Sequence, residues 1–378
     1  MQERRHGELR RRSVFQAVLL ATSTAACAAE PVTEERGPSQ PVAVGQAGVT
    51  TAPPKSVVVS AFDVRGVDRG GVRTLLRQLG VVAVGPAEAT VAVGASLFDD
   101  RFGLQNLKPR RLRNMPSFPN DVLDPAYCGG DLLLQVCAAD ARQARATMQE
   151  MVKTAGGSLT QRWTIDGFRD ENSATADGRP STRDLFGFRE GVGNPDPRDE
   201  SLMDQLVWVQ PGSDEPAWAT GGSYQVVRLI RFAPTLWDAE PLARQEAVIG
   251  RRKPDGSPLG RAGETTAFDY SGDTTGQMIA LDAHIRRANP RTPGTEPNRI
   301  LRRGYSYRRA GTDRDEGLIF VCFQQDLERG FATVQRRLSG QALDKYTLPF
   351  GGGYYFVLPG ADRSRGQYLG KSLLDAAV

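Results

Sequence analysis

Twice along this chain, β-branched apolar runs alternate with amphipathic stretches in an order that few folds accommodate. Residues 56–62 form a β-branched run typical of a strand. Residues 68–79 follow with Val72, Leu75, Leu76 and Leu79 at the spacing of one helix face, and Asp68 is placed to cap it. Residues 89–95 and 132–136 predict two more strands, 139–155 an amphipathic helix and 159–165 a fourth strand. Strand, helix, strand, strand, helix, strand is the ferredoxin-like split βαβ pattern. The second half repeats the theme, with strands predicted at 222–231, 318–323 and 354–358 and helices at 235–249 and 326–338. The expected class is α+β: two ferredoxin-like domains of antiparallel sheets with helices, at 55–205 and 206–378. Between the first helix of the second half and its buried strand runs an insertion of about 65 residues, long enough to signal function rather than filler.

The first residues read as an export signal, 1–28. Arg10-Arg11-Arg12-Ser13-Val14-Phe15 supplies a charged start, residues 14–26 a weakly apolar core, and Ala26-Cys27-Ala28 a small-x-small cleavage site. An arginine pair before a mild apolar stretch resembles a twin-arginine signal, which exports folded proteins. A general secretory signal is the plainer alternative. Lipid anchoring at Cys27 is a weaker one, because the leucine usual three residues earlier is missing. Residues 29–54, rich in Pro, Glu, Gly and Thr, predict a flexible linker. No apolar run approaches a membrane span. The net charge is only +4 with bases scattered among acids, which argues against nucleic acid as a partner.

Removing that leader leaves one histidine, His284, since His6 lies inside it. One imidazole cannot build a multi-histidine zinc site, but it can supply one axial ligand to a haem, as in peroxidases. A lone histidine among arginines is also a common surface or structural residue. Cys128, Cys137 and Cys322 are too few and too irregularly spaced for a disulfide framework, and no CxxC pair exists.

Two further strings carry chemistry. Asp184-Leu185-Phe186-Gly187-Phe188-Arg189-Glu190-Gly191-Val192-Gly193-Asn194-Pro195 packs three glycines and a proline around an acid. Such a loop presents a carboxylate without its backbone blocking access, although an ordinary surface turn reads the same way. In Ile300-Leu301-Arg302-Arg303-Gly304-Tyr305-Ser306-Tyr307 the apolar flanks predict at least one partly buried arginine, which needs a polar or anionic partner.

Together these strings resemble the dye-decolourising peroxidases, in particular their exported deferrochelatase/peroxidase-like subgroup. The likeness runs from about Ser56 to the end. It includes Met115-Pro116-Ser117-Phe118, Tyr127-Cys128-Gly129-Gly130-Asp131, Ile249-Gly250-Arg251-Arg252-Lys253, Val321-Cys322-Phe323-Gln324-Gln325-Asp326 and Gly351-Gly352-Gly353-Tyr354-Tyr355-Phe356. The resemblance implies haem b held between the two ferredoxin-like domains, with His284 as proximal iron ligand and Arg302 as distal arginine. Glu190, followed by Gly191, occupies the acid position of the family's Gly-x-x-Asp-Gly motif, where aspartate is the rule. Asp344 is the expected carboxylate partner of the His284 ring, with Asp326 as an alternative, and Arg286 or Arg303 are the expected propionate contacts.

The activity so implied is a haem b-dependent peroxidase reaction. Hydrogen peroxide would oxidise dyes, phenols or another reducing substrate through a ferryl intermediate. Alternatives are deferrochelatase-like iron release from haem within an iron uptake system, or a non-catalytic haem binder. Trp208, Trp218, Tyr305 and Tyr307 are places where electrons could hop, though each also reads as a core residue. A homo-oligomer is compatible with all three readings. The extra methylene of Glu190 would move its oxygens by about 1 Å, a displacement of the kind that costs roughly a hundredfold in rate.

Overall fold

Strands form where β-branched and aromatic residues run unbroken, and most of them are buried on both faces. The computed structural model describes residues 45–174, 180–263, 267–309, 311 and 315–377, all within one compact unit. β1 (Ser56–Val64), α1 (Arg69–Val82), β2 (Glu88–Gly94), β3 (Leu132–Ala138), α2 (Ala141–Thr154) and β4 (Leu159–Phe168) make up the first split βαβ succession. Asp68 caps α1 by accepting from Gly71 N at 2.9 Å, and Asp140 caps α2 through Gln143 N at 2.9 Å. A ribbon of β5 (Glu171–Ala174) and β6 (Pro180–Thr182), then α3 (Glu200–Leu206), leads into the second half. There β7 (Ser223–Phe232), α4 (Pro234–Asp238), α5 (Leu242–Ile249) and α6 (His284–Ala288) precede β8 (Leu301–Arg302) and β9 (Tyr305–Arg308). β10 (Glu316–Gln324), α7 (Thr333–Leu338), β11 (Thr347–Val357) and α8 (Lys371–Asp375) complete the fold.

In the first half the strands lie in the order β4-β1-β3-β2, and in the second in the order β11-β7-β10-β9. Each is the same ferredoxin-like arrangement: last strand, first, third, second. The sheets join at both edges. β2 meets β11 through Ala92↔Val357, Val93↔Phe356 and Gly94↔Tyr355, and β4 meets β9 through Phe168↔Ser306. Because β7 also pairs with β10, the antiparallel ladder closes on itself and leaves few open edges. Successive side chains then point to opposite faces. Val57, Val59 and Ala61 cluster with Leu133, Leu229, Ile319 and Tyr355 from both halves, which places them inside the ring. Val58 and Phe62 instead pack outward with Leu75 and Leu79 of α1 and Met148 and Met151 of α2.

Four expectations differ from the structure. The helix at 235–249 is two helices, because Pro241 cannot continue the first one. The helix at 326–338 begins as a widened turn, Glu328–Ala332, kinked at Gly330, before α7. The segment 300–307 contains the missing strand of the second half: β8 pairs with Cys322 and Phe323, β9 with residues 316–319, and Arg303-Gly304 interrupts them. Within the expected linker, residues 46–50 pack against the rest of the fold, while 51–53 are exposed. Gln46 Nε2 donates to Val91 O at 2.8 Å and Leu358 O at 2.7 Å, and Val49 is buried. The export signal and linker residues 29–44 lie outside the described residues. Among the described residues no helix is long and apolar enough to cross a membrane.

The excursion between β2 and β3 folds back along β11, with Val122 N donating to Pro349 O and Asp124 N to Phe350 O. Its anchor is a buried ion pair. Asp121 accepts from both Nη atoms of Arg228 on β7, one of them at 3.0 Å, and the Phe118 ring lies 4.9 Å from the guanidinium. Removing one member strands the other without water, at a cost of about 3–5 kcal/mol. Asp121→Asn is therefore expected to lower unfolding stability by that amount in urea titration. A loss below about 1 kcal/mol would show that Arg228 does not depend on the carboxylate.

Candidate functional site

His284 is the first residue of α6, at the end of a long loop that has its own small core of Tyr270, Ile279 and Ala283. Asp273 organises that loop: its carboxylate accepts from Met278 N at 3.1 Å and Ile279 N at 2.9 Å and pairs with Arg286 Nη1 at 3.0 Å. Arg286 also donates to Ile279 O at 2.7 Å and Asp273 O at 2.6 Å, with its guanidinium 4.5 Å from the Tyr270 ring. The contacts of Arg286, which the resemblance offered as a propionate ligand, are thus all to this loop. Gly250 ends α5 with φ +92°, and a Cβ there would lie 2.7 Å from the Ile285 side chain. A left-handed, Cβ-free residue is what lets α6 abut α5.

The His284 Nδ1 lies 2.7 Å from Gln341 Oε1. With an amide oxygen as partner, Nδ1 carries the proton and Nε2 keeps its lone pair. Burial pushes the imidazole below its ordinary pKa; the Gln341 bond opposes this, the Arg302 charge reinforces it, and Asp344 opposes it more weakly. The ring is therefore neutral at neutral pH. Here the sequence expectation is corrected: Gln341, not Asp344, holds the ring. Asp344 turns away and accepts from Gly340 N at 3.0 Å, acting on the imidazole only through its charge. Asp326 is also engaged elsewhere, ion-paired with Arg111 Nε at 3.0 Å.

Arg302 on β8 shares the enclosure. Burial lowers its pKa, the charge of Glu190 raises it, and its own charge depresses that of His284, so the three side chains lie within electrostatic reach of one another. Both His284 and Arg302 are half-buried. Among the described residues the Arg302 side chain makes one hydrogen bond, Nη2 to Val192 O at 2.9 Å, leaving its other donors unspent. Asn194 clamps the acidic loop to β8: its Nδ2 donates to Arg302 O at 2.9 Å and its Oδ1 accepts from Arg302 N at 3.0 Å. The neighbouring Arg303 points through the other face of the sheet, to Thr51 O and to Glu88 Oε2 at 2.7 Å, and so lies away from the cavity.

Glu190 is half-buried, with its backbone N donating to Thr182 O at 2.7 Å and Arg169 Nη1 at 3.9 Å from Oε2. Gly304 faces it: a Cβ there would stand 3.2 Å from Oε1. The next residue, Gly191, is exposed with φ +79° and nothing near the position of a Cβ, so it supplies backbone shape rather than contact. Gln341, Asn194 and Arg169 were missed in the sequence. Asn194 lies inside the glycine-rich string, but nothing local marks the other two.

The family described as "Dyp-type peroxidase, N-terminal" matches residues 86–169, and "Dyp-type peroxidase, C-terminal" matches residues 181–362. The chain is 41% identical over 362 residues to a deferrochelatase of Escherichia coli (strain K12), a match covering 87% of this chain and 85% of the relative. A DyP-type peroxidase from Cellulomonas bogoriensis superposes with a TM-score of 0.79 at 35% identity, over 88% of this chain and 96% of that one. Ferric DtpA from Streptomyces lividans superposes with a TM-score of 0.78 at 33% identity, over 92% and 100% of the two chains. With a doubled ferredoxin-like fold and matches in both halves, the chain belongs to the Dyp-type peroxidase family.

Proposed function

We propose that the protein binds haem b through His284 and acts on it as a deferrochelatase-like enzyme, taking iron out of the porphyrin. The observation that carries this reading is the neutral imidazole with a free Nε2, sharing one enclosure with a guanidinium whose donors are largely unspent. The residues fit such a group. Among the described residues no set of three His, Cys, Asp or Glu could cage a bare ion, whereas one imidazole nitrogen suits a metal carried by its own macrocycle. Beside α6, Tyr270 Oη and Arg291 Nε are buried, near one another and with no other hydrogen-bond partner, and polar atoms of that kind suit a ligand bearing carboxylates.

Bound haem would supply the redox-active iron. Of the chain's own groups, Gln341 fixes the ring tautomer of His284 and Arg302 places fixed positive charge in the cavity. Glu190 holds or delivers a proton at its carboxylate, and Asn194 keeps the loop in register with Arg302. Iron removal leaves porphyrin nitrogens that must be protonated, so an acid on the Arg302 side suits that chemistry. The 41% identity to a deferrochelatase over most of the chain favours this over plain peroxidation. Oxidation of an aromatic or other reducing substrate by hydrogen peroxide is the second reading, favoured by Arg302 and by the similarity to DyP-type peroxidase structures. Twin-arginine export and the division into domains 55–205 and 206–378 belong to the same proposal.

Three outcomes are expected. Incubated anaerobically with a reductant, the haem-loaded protein releases iron-free porphyrin, read by its fluorescence. Intact haem there, with phenol oxidised once peroxide is added, would leave only the peroxidase reading. Gln341→Leu frees the imidazole tautomer and weakens haem retention about 10–100-fold, measured by transfer to a scavenging apoprotein; unchanged transfer would remove Gln341 from the site. Glu190→Asp speeds the reaction with peroxide in stopped-flow absorbance, by up to about a hundredfold. A variant no faster than the parent at any pH would mean the added methylene costs nothing.

A further inference from the structure

A second carboxylate stands in the hairpin that carries Glu190. Arg183 and Arg189 form an antiparallel bridge, Glu190 N donates to Thr182 O at 2.7 Å and Asp184 N donates to Phe188 O at 2.9 Å. In that register residues 182 and 184 of one arm share a face with 188 and 190 of the other. Asp184 and Glu190 are therefore diagonal neighbours, about 7–8 Å apart at the backbone, and the charge of Glu190 bears on Asp184. We propose that Asp184 is the proton store behind Glu190: a second carboxyl group that hands its proton on through Glu190.

The surroundings of Asp184 make both of its protonation states accessible. Its Oδ1 accepts from Phe186 N and Phe188 N, each at 3.0 Å, which supports the ionised form. It is bonded to the amides of Phe186 and Phe188, whose rings join Trp237 in a buried aromatic cluster, and its burial supports the neutral form. Lys253, from the segment after α5, is the cation facing it, with Nζ bonded to Gln245 Oε1 at 2.7 Å and 5.6 Å from the Phe188 ring. Glu246 accepts from Lys253 N at 2.9 Å. Arg183 spends its guanidinium on the carbonyls of Gly187, Lys253 and Pro254. Arg169 and Arg302 lie on the Glu190 side. Burial first, and then the charge of Glu190, push the Asp184 carboxyl up to about 7, against the pull of the Phe188 and Phe186 amides and of Lys253. In the transfer the O–H bond of Asp184 breaks, an O–H bond forms on Glu190, and the negative charge passes to Asp184. Water then returns the proton to Asp184.

This role rests on Glu190 handling protons, as read above, yet its test is separable from that reading. Infrared difference spectra of the full-length haem-loaded protein report the C=O stretch of protonated carboxyls, and ordinary carboxyls are already ionised above roughly pH 5. A protonated carboxyl signal that titrates with a midpoint near 7 is expected. Asp184→Asn, which keeps an oxygen for both amides, should abolish it, and Glu190→Gln should move the midpoint down by removing the neighbouring charge. Asp184→Asn should also flatten the dependence of iron release on pH between about 5 and 8, which a merely structural role would not do. Absence of any such titrating signal overturns the proton store, even in a protein that releases iron. A signal that survives Asp184→Asn, or a midpoint unmoved in Glu190→Gln, overturns it as well. If the signal behaves as expected in a protein inert to haem, the store stands and the function proposed for the site fails.

Discussion

Edge-to-edge pairing of the two sheets is the constraint on which the rest of this molecule depends. Each half alone would be a four-stranded sheet with two open edges and one face covered by helices. Joining β2 to β11 and β4 to β9 removes those edges and encloses the inward side chains of both halves in one core. It also fixes β8 and β9 against β4 and β10, and β8 carries Arg302. The hairpin that carries Glu190 follows β4 and β6 in the chain, and Asn194 then ties it to the backbone of Arg302. Glu190 and Arg302 are thereby tied to the closed ladder, whereas His284 comes from the loop that Asp273 braces.

Alternation along a strand decides which arginine serves the cavity. Arg302 and Arg303 are consecutive, so they leave opposite faces of the sheet. Arg303 finds Glu88 and the Thr51 carbonyl behind the ladder, where its charge is answered. Arg302 turns to the cavity with a single carbonyl, Val192 O, as hydrogen-bond partner and Glu190 as counter-charge. Its field reaches His284 and helps hold the imidazole neutral. An uncharged ring is the form that can donate a lone pair to a metal. Arg302 and the imidazole of His284 are thus coupled through their charges before any cofactor is considered.

Much of this was legible in the sequence, and the misses have physical causes. The first four strands and both capped helices follow from unbroken apolar spacing with an aspartate at each start. His284 stood out by elimination, whereas the glycine-rich and apolar settings marked only an acid in a loop and one buried arginine of two, and Glu190 and Arg302 were singled out by resemblance to the dye-decolourising peroxidases. β8 and β9 were hidden because Arg303-Gly304 splits one strand into two pieces too short to show a period. Asp344 was expected on the imidazole because carboxylates commonly fill that place. The short turn at Ala342–Tyr346 instead directs its carboxylate back to Gly340 N, and Gln341, three residues earlier, reaches the ring. Arg286 sits beside His284 in sequence, but a helix turns successive side chains by about 100°, and Asp273 holds it on another side. Spacing along a chain predicts which face a residue takes, not which of two nearby polar groups wins a partner.

The glutamate at 190 shows how a fold absorbs a departure from its family's pattern. A longer acid needs space that an aspartate would leave empty, and Gly304 provides it, since any side chain there would press on Oε1. That same glycine interrupts the strand between Arg302 and Tyr305, and its carbonyl accepts from Arg169 Nη1 at 2.7 Å. Arg169 in turn lies over the Tyr305 ring at 5.5 Å and near the carboxylate of Glu190. The acid therefore extends toward a fixed guanidinium rather than into unbounded space. An oxygen so placed has a defined position, set by Gly304 on one side and Arg169 on the other.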